Sequence, residues 1–368
     1  MKEVRSVTAP MKFFINKNIF SKLPEHTKSL GEKPYIIADP FIYERAVDEL
    51  GQAYRDSKIA EFGGENSSQE IDKHKSGFET SQADFIIGIG GGKTLDNAKA
   101  TAYYADTRVV IVPTLASTDA PATSLSVIYT EEGEFDHYLF LPNNPDIVIA
   151  DLNILAAAPA RAFASGMADA MATWIEGRTS FLTDGVNLSE HRASFSGYGI
   201  AKMSYDTVRE YGIQALEAVK NNLATSAVGK VVEATVWMSG VGAEAVGLTA
   251  THAIHNGMTQ LSYFNRAQHG EIVGFAMIAN LILEGATDAE IYDLAQFNKQ
   301  IGLLLTLEDL GLTEWKEDEW RMVAEAACSK EDTMSNMSIL VEPDDVYQAI
   351  QQADHIMQSV KDGYVYKG

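Results

Sequence analysis

The stretch ADFIIGIGGGKTLDNAKA, residues 83–100, decides the fold. Its first half is a short apolar run rich in isoleucine, as a strand buried on both faces would be. Three consecutive glycines, Gly90 to Gly92, follow, and then a sequence with helical spacing. A glycine turn between a strand and a helix lets backbone N–H groups approach an anion at the helix N-terminus. Two phosphate-binding templates can be tested residue by residue. A Walker A motif ending at Gly92-Lys93-Thr94 would need glycine where Ile87 stands. A G-x-G-x-x-G motif starting at Gly88 would need glycine where Lys93 stands. Neither fits, and a diphosphate-binding turn of another pattern is the favoured reading. The alternative is a tight strand-to-helix turn without a ligand. Lys93 suits a phosphate or plain solvation, and Asp96 in the first helical turn complements the helix dipole.

Working outward, PYIIAD (34–39), KIAEFG (58–63), RVVIVPT (108–114) and DIVIAD (146–151) read as further buried strands. Helical segments between several of them predict a mostly parallel sheet covered on both faces. SLSVIYTEEGEFDHYLFLP (124–142) differs: two alternating stretches flank a turn around Gly133, as in a β-hairpin. Asp39 closes its strand as an acidic residue beside a dinucleotide site would, accepting ribose hydroxyls and repelling a 2′-phosphate. On its own it reads as an N-cap or turn residue. Beyond residue 155 the rhythm becomes Ala-rich with a 3.6-residue period, and no strand of similar quality recurs. The expected division is an α/β dinucleotide-binding domain over 1–155 and an all-α domain over 156–368.

Composition narrows the function. With 51 acidic against 29 basic residues in 368, the net charge of −22 argues against a nucleic-acid partner, which needs a basic footprint. The single Cys328 excludes an internal disulfide and multi-cysteine metal knots. No apolar run reaches the roughly 18 residues of a membrane span, and the N-terminus lacks a secretory pattern. A cytoplasmic protein with no membrane partner is expected.

In the helical half, THAIHNG (251–257) places His252 and His255 on one helical face. His269 lies in RAQHGEIVG, and Asp169 sits within the apolar segment GMADAMATWIEGR. A buried aspartate is costly without a partner or a metal. One carboxylate and two imidazoles make a three-ligand set with one open position, as at a catalytic zinc. Histidines satisfied within a helical core are the competing reading.

GIGGGKTLDNAKA, VPTLASTDAPATSLSVIYTEEGEF, FLPNNPDIVIADLNIL, GMADAMATWIEGR, THAIHNG and QHGE occur in one order along the chain. Together they resemble the iron-containing (type III) alcohol dehydrogenase family, and GGGKTLD its glycerol branch. The motifs span roughly residues 35–275. The resemblance implies the two-domain architecture shared with dehydroquinate synthase. It also implies NAD- and zinc-dependent oxidation of glycerol or a related vicinal diol to a hydroxyketone. It assigns the metal, and with it the substrate's hydroxyls, to Asp169, His252 and His269. Asp39 would meet the adenosine ribose, and Gly91, Gly92, Lys93, Thr94, Leu95 and Asp96 the diphosphate. Thr114, Leu115, Ala116 and Ser117 would pass beneath the cofactor, with Thr123, Leu125 and Tyr129 at its nicotinamide end. Asp119 would contact the polyol, its alternative being a turn residue before Pro121. The wider family usually carries a further histidine four residues after the aspartate. Thr173 stands there, which favours zinc over the more nitrogen-rich iron site. His255 is assigned either a proton-moving role beside the substrate or a place in the core. A homo-oligomer, often an octamer, is implied as well. A lyase of the same architecture would need a Lys and Arg cluster that these motifs lack, and a non-catalytic NAD-binding protein would have no use for the ligand set.

Overall fold

Strand β4, Phe85–Gly90, is buried at every residue. In the computed structural model, which describes residues 4–330 and 332–367, β4 lies inside a six-stranded sheet ordered β1-β8-β5-β4-β2-β3. The strands are β1 (Lys12–Asn16), β2 (Pro34–Ala38), β3 (Lys58–Glu61), β4, β5 (Val109–Pro113) and β8 (Ile147–Asp151). Every pairing in this sheet is parallel. β6 (Leu125–Tyr129) and β7 (Phe135–Phe140) form a separate antiparallel pair. They turn at Gly133, whose φ of 85° suits a residue without Cβ.

The parallel sheet needs both faces covered, and alternate residues serve each face. Phe85, Ile87 and Ile89 join Ile36, Val110 and Ile147 in a core with Ile42, Ala46 and Leu50. The last three belong to helix α2 (Pro40–Ala53), which follows a short α1 (Leu23–Thr27). Each fully buried side chain of this size contributes about 1.5–3 kcal/mol. The other face receives α3 (Ser68–Ser81) and α4 (Gly92–Tyr104). α4 packs so closely that a Cβ on Gly88 would come within 2.4 Å of the Ala98 side chain. A short α5 (Leu152–Ala156) ends this series.

The remaining helices are α6 (Ala160–Leu182), α7 (Phe195–Lys220), α8 (Ser226–Glu233), α9 (Ser239–Val246), α10 (Ala250–Met258), α11 (His269–Leu283), α12 (Asp288–Gln300), α13 (Leu307–Leu310), α14 (Glu317–Ala327) and α15 (Pro343–Lys361). A π-helical turn, Ala234–Met238, joins α8 to α9. α11 is apolar all round and buried through most of its length, as a central helix must be. Among the described residues, no helix is long and apolar enough to cross a membrane.

The chain forms two compact units: residues 8–159 with 217–237, and residues 1–7 with 160–216 and 238–368. Residues 217–237, assigned from sequence to the helical half, therefore pack with the α/β unit. The reason is local: α8 belongs beside the sheet, and Trp237 lies 6.2 Å from the Phe13 ring of β1. β1 itself was not anticipated. It is a five-residue edge strand with exposed ends, too short to stand out from its polar flanks.

Candidate functional site

In the α/β unit, the carboxyl ends of β2 and β4 lie side by side where the strand order reverses. In open parallel sheets this is where ligands bind. Asp39 follows β2, and its amide donates to the Ile89 carbonyl at 2.8 Å. Its Oδ1 accepts from Phe41 N at 2.9 Å, capping α2, while Oδ2 accepts from the Thr94 hydroxyl at 3.3 Å. Gly90 can only be glycine here, because a Cβ would meet Thr94 at 2.7 Å and Asp39 at 2.9 Å. α4 starts at Gly91 with no side-chain cap, and a Cβ on Gly92 would meet open space. A helix start without a side-chain cap leaves N–H groups that suit an anion.

The residues expected around a diphosphate divide. Gly91, Gly92 and Lys93 are at the turn. Lys93 pairs with Glu65 and lies 4.6 Å over the Tyr129 ring. Thr94 and Leu95 are buried. Asp96 faces the interior, where Oδ1 lies 2.8 Å from Lys99 Nζ and Oδ2 accepts from Val127 N at 3.0 Å. Its carboxylate thus ties α4 to β6. Lys99, fully buried, also donates to the carbonyls of Ala120, Thr123 and Leu125. Sequence reasoning did not single it out, although a lysine among alanines on a helix facing a sheet was a signal. It fixes the segment carrying Thr123 and Leu125, just after Asp119, which precedes the 3-10 turn Ala120–Ala122. Thr114 follows β5, donating its N–H to the Gly90 carbonyl at 2.9 Å, and Leu115, Ala116 and Ser117 continue from it.

In the helical unit, Asp169, His252 and His269 come together, one ligand atom from each lying within 4.8 Å of the others. α6 supplies Asp169, α10 supplies His252, and His269 is the first residue of α11. Gly270 sets that last placement. Its amide donates to Ser165 Oγ at 3.0 Å, and a Cβ would fall 1.9 Å from the Ser165 carbonyl oxygen. Glu271 completes a capping box with Gln268, and both its oxygens accept from Arg161, at 2.6 and 2.7 Å. The start of α11 is therefore pinned to α6 from two sides.

His269 Nε2 and His252 Nε2 lie 3.1 and 3.5 Å from the same oxygen, Asp169 Oδ1. Burial opposes the charge of Asp169, but the two imidazoles, by charge and hydrogen bond, hold its carboxyl well below the usual range. Burial likewise opposes a charged His252, yet Glu176 and Asp169 carry its pKa well above the ordinary value. Asp169 is 1% exposed, whereas the His252 and His269 side chains are 16% and 32% exposed. The opening lies on the imidazole side. Three converging ligand atoms, a carboxylate oxygen and two imidazole nitrogens that can exchange their protons for a metal, with access from one side, fit a divalent cation with a free coordination position.

Glu176 was missed from the sequence. It lies seven residues after Asp169, two turns along the same face of α6, and it is fully buried. Its Oε2 is 2.5 Å from His252 Nδ1. The signal was available: a carboxylate in an apolar helix, at helical spacing from a suspected ligand. Thr173, four residues after Asp169, turns to α9, its hydroxyl 2.8 Å from that of Ser239.

His255 sits beside the trio, its ring centroid 4.3 Å from that of His269. Its Nδ1 lies 3.2 Å from Asn256 Oδ1, the geometry of an N–H donating to the amide oxygen. That leaves Nε2 as the acceptor. Burial, with the neighbouring His269 and His252, holds its pKa well below the ordinary value, so the ring is neutral.

Comparison with known proteins places these features in context. Residues 10–152 match the family described as iron-containing alcohol dehydrogenase. The glycerol dehydrogenase of Escherichia coli O6:H1 is 41% identical over 358 residues, covering 96% of this chain and 98% of its own. The glycolaldehyde reductase of Halobacterium salinarum is 38% identical with the same coverage. The crystal structure of a probable glycerol dehydrogenase from Sinorhizobium meliloti superposes with a TM-score of 0.92 at 34% identity, covering 97% of this chain and 100% of that one.

Proposed function

The chain belongs to the iron-containing alcohol dehydrogenase family, and from that premise we propose that it oxidises glycerol or a related vicinal diol with NAD, using a bound zinc ion. The observation that carries this reading is the convergence of Asp169, His252 and His269 with an exposed imidazole side.

Asp169, His252 and His269 would hold the metal. When bound, the ion supplies the Lewis acidity that makes a hydroxyl acidic, and NAD supplies the hydride acceptor. Carboxylate plus two imidazoles suits zinc and also ferrous iron. Thr173, in place of a third imidazole, favours zinc. His255 takes the hydroxyl proton at Nε2, the nitrogen that its bond to Asn256 leaves free. Asp119 is assigned a hydroxyl of the polyol. The free N–H groups of α4 and the Lys93 ammonium take the diphosphate, for which Lys93 must exchange Glu65 for phosphate. Asp39 takes the adenosine ribose and disfavours a 2′-phosphate, so NAD is chosen over NADP. Reduction of a short hydroxyaldehyde is the same chemistry in reverse, and the Halobacterium relative keeps it in view.

The test is a panel of glycerol, 1,2-propanediol, 2,3-butanediol and glycolaldehyde with NAD(H) and NADP(H). It is run after dialysis against a chelator and again after adding back zinc or ferrous iron. Turnover should vanish on dialysis and return with zinc. Undiminished turnover in protein shown to be metal-free would refute the proposal.

A further inference from the structure

We infer that Glu176 is the residue that makes His252 a metal ligand, by fixing both its ring tautomer and its main chain. The inference rests on the metal reading above. It concerns a buried carboxylate that would not itself touch the ion.

Helix α10 begins without a side-chain cap of its own, so its first N–H groups need acceptors from elsewhere. They find them on two neighbouring helices. Glu176 Oε1, from α6, accepts from Thr249 N at 2.8 Å and from His252 N at 3.1 Å. Asn280 Oδ1, from α11, accepts from Ala250 N at 3.2 Å and from the Thr249 hydroxyl at 3.0 Å. The second oxygen of Glu176 meets His252 Nδ1 at 2.5 Å. One carboxylate therefore faces three N–H donors, two from the main chain and one from the ring.

A carboxylate can only accept. Facing Glu176, Nδ1 must keep its proton, so Nε2, beside Asp169 Oδ1, is the nitrogen that would give up its proton to a metal ion. Ligating histidines characteristically give their other N–H to such an acceptor, and losing that partner typically costs 10–100-fold in metal affinity. Glu176→Gln changes shape least and logic most. If the amide oxygen keeps the two main-chain donors, the new NH2 faces Nδ1. The ring must then accept at Nδ1 and carry its proton on Nε2, where it blocks ligation. If the amide turns the other way, the NH2 collides with two N–H groups at the start of α10.

The experiment titrates the metal-free protein with zinc against a chromogenic chelator, and with cobalt(II) followed by its visible absorption. Glu176→Gln should bind zinc about 10–100-fold more weakly than the parent, with a weaker or shifted cobalt spectrum. Asn280→Ala removes the other anchor of α10 without touching the ring, and should leave affinity within about threefold, near the limit such context effects reach. Should Glu176→Gln fail to fold, Glu176→Asp asks the same question, since the shorter side chain draws the carboxylate away from Nδ1 and should also weaken zinc. Equal affinity in parent and Glu176→Gln overturns the inference. So does an equal loss in Asn280→Ala, which would make helix anchoring the whole effect. A parent protein that takes up neither metal removes the metal reading itself, an outcome distinct from both.

Discussion

The Lys99 ammonium and the Asp96 carboxylate, both inaccessible to solvent or nearly so, lie 2.8 Å apart beneath the hairpin. Removing one partner of a buried pair strands the other, at about 3–5 kcal/mol. Lys99→Met should therefore lower the melting temperature markedly. Lys99→Met with Asp96→Leu should recover part of the loss, because no lone charge remains. A double-mutant cycle by thermal denaturation measures the recovery, and strict additivity would show the pair to be uncoupled.

Gly270→Ala drives a Cβ into the Ser165 carbonyl. Backbone cannot step aside as a side chain can, so α11 must shift at its first turn, where His269 sits. We expect a loss of about 2 kcal/mol or more, together with weakened zinc binding, both readable from melting curves with and without metal. Unchanged curves would mean that the α6–α11 approach is looser than described.

Asp39→Asn separates two tasks of one residue. Asparagine caps helices as well as aspartate does, so stability should hold within a few tenths of a kcal/mol. Loss of the negative charge should raise kcat/KM for NADP relative to NAD by about tenfold, or 1.4 kcal/mol. Steady-state kinetics with both cofactors decides it, and an unchanged ratio would remove Asp39 from cofactor choice.

Stability should also depend on pH through His74. Burial first, aided by Lys73, holds the His74 pKa below 6.5 against the pull of Glu70. Burial opposes the charge on Glu70, but Lys73, Gly63 and His74 together keep its pKa below 4.5. Both folded-state values are depressed, so the unfolded chain takes up protons first as pH falls. The contribution of His74 is complete above about pH 6.5 and declines below it, with Glu70 adding the same sign below 4.5. Between pH 7.5 and 5 the melting temperature of the parent should lose ground to that of His74→Gln, the difference in slope being at most about 1.4 kcal/mol per pH unit for one group.

What the sequence disclosed was what depends on pattern. Five parallel strands and the hairpin were legible because each is a buried run or an alternation bounded by turn residues. Gly90 to Gly92 announced a close approach, and Asp169, His252 and His269 stood out by residue type. The rest depended on who meets whom. Asp96 read from the sequence as a complement to the helix dipole, and its pairing with Lys99, one helical turn further on, was not seen. Glu176 was one carboxylate in an apolar helix until α10 was seen resting on it. β1 was lost because five residues with exposed ends and a half-buried middle show neither a buried run nor an alternation.

The position of Thr173 has a further consequence. Its methyl group would lie 3.1 Å from a Cβ placed on Gly242, and its hydroxyl touches Ser239, so a small side chain from α6 fills the close approach of α9. Exchange of Thr173 for a larger side chain is therefore a change in how two helices pack as much as a change of one residue. An alanine at either 173 or 239 would take this contact between the helices from the hydroxyl of the other, so the two positions are coupled and their substitutions should not add.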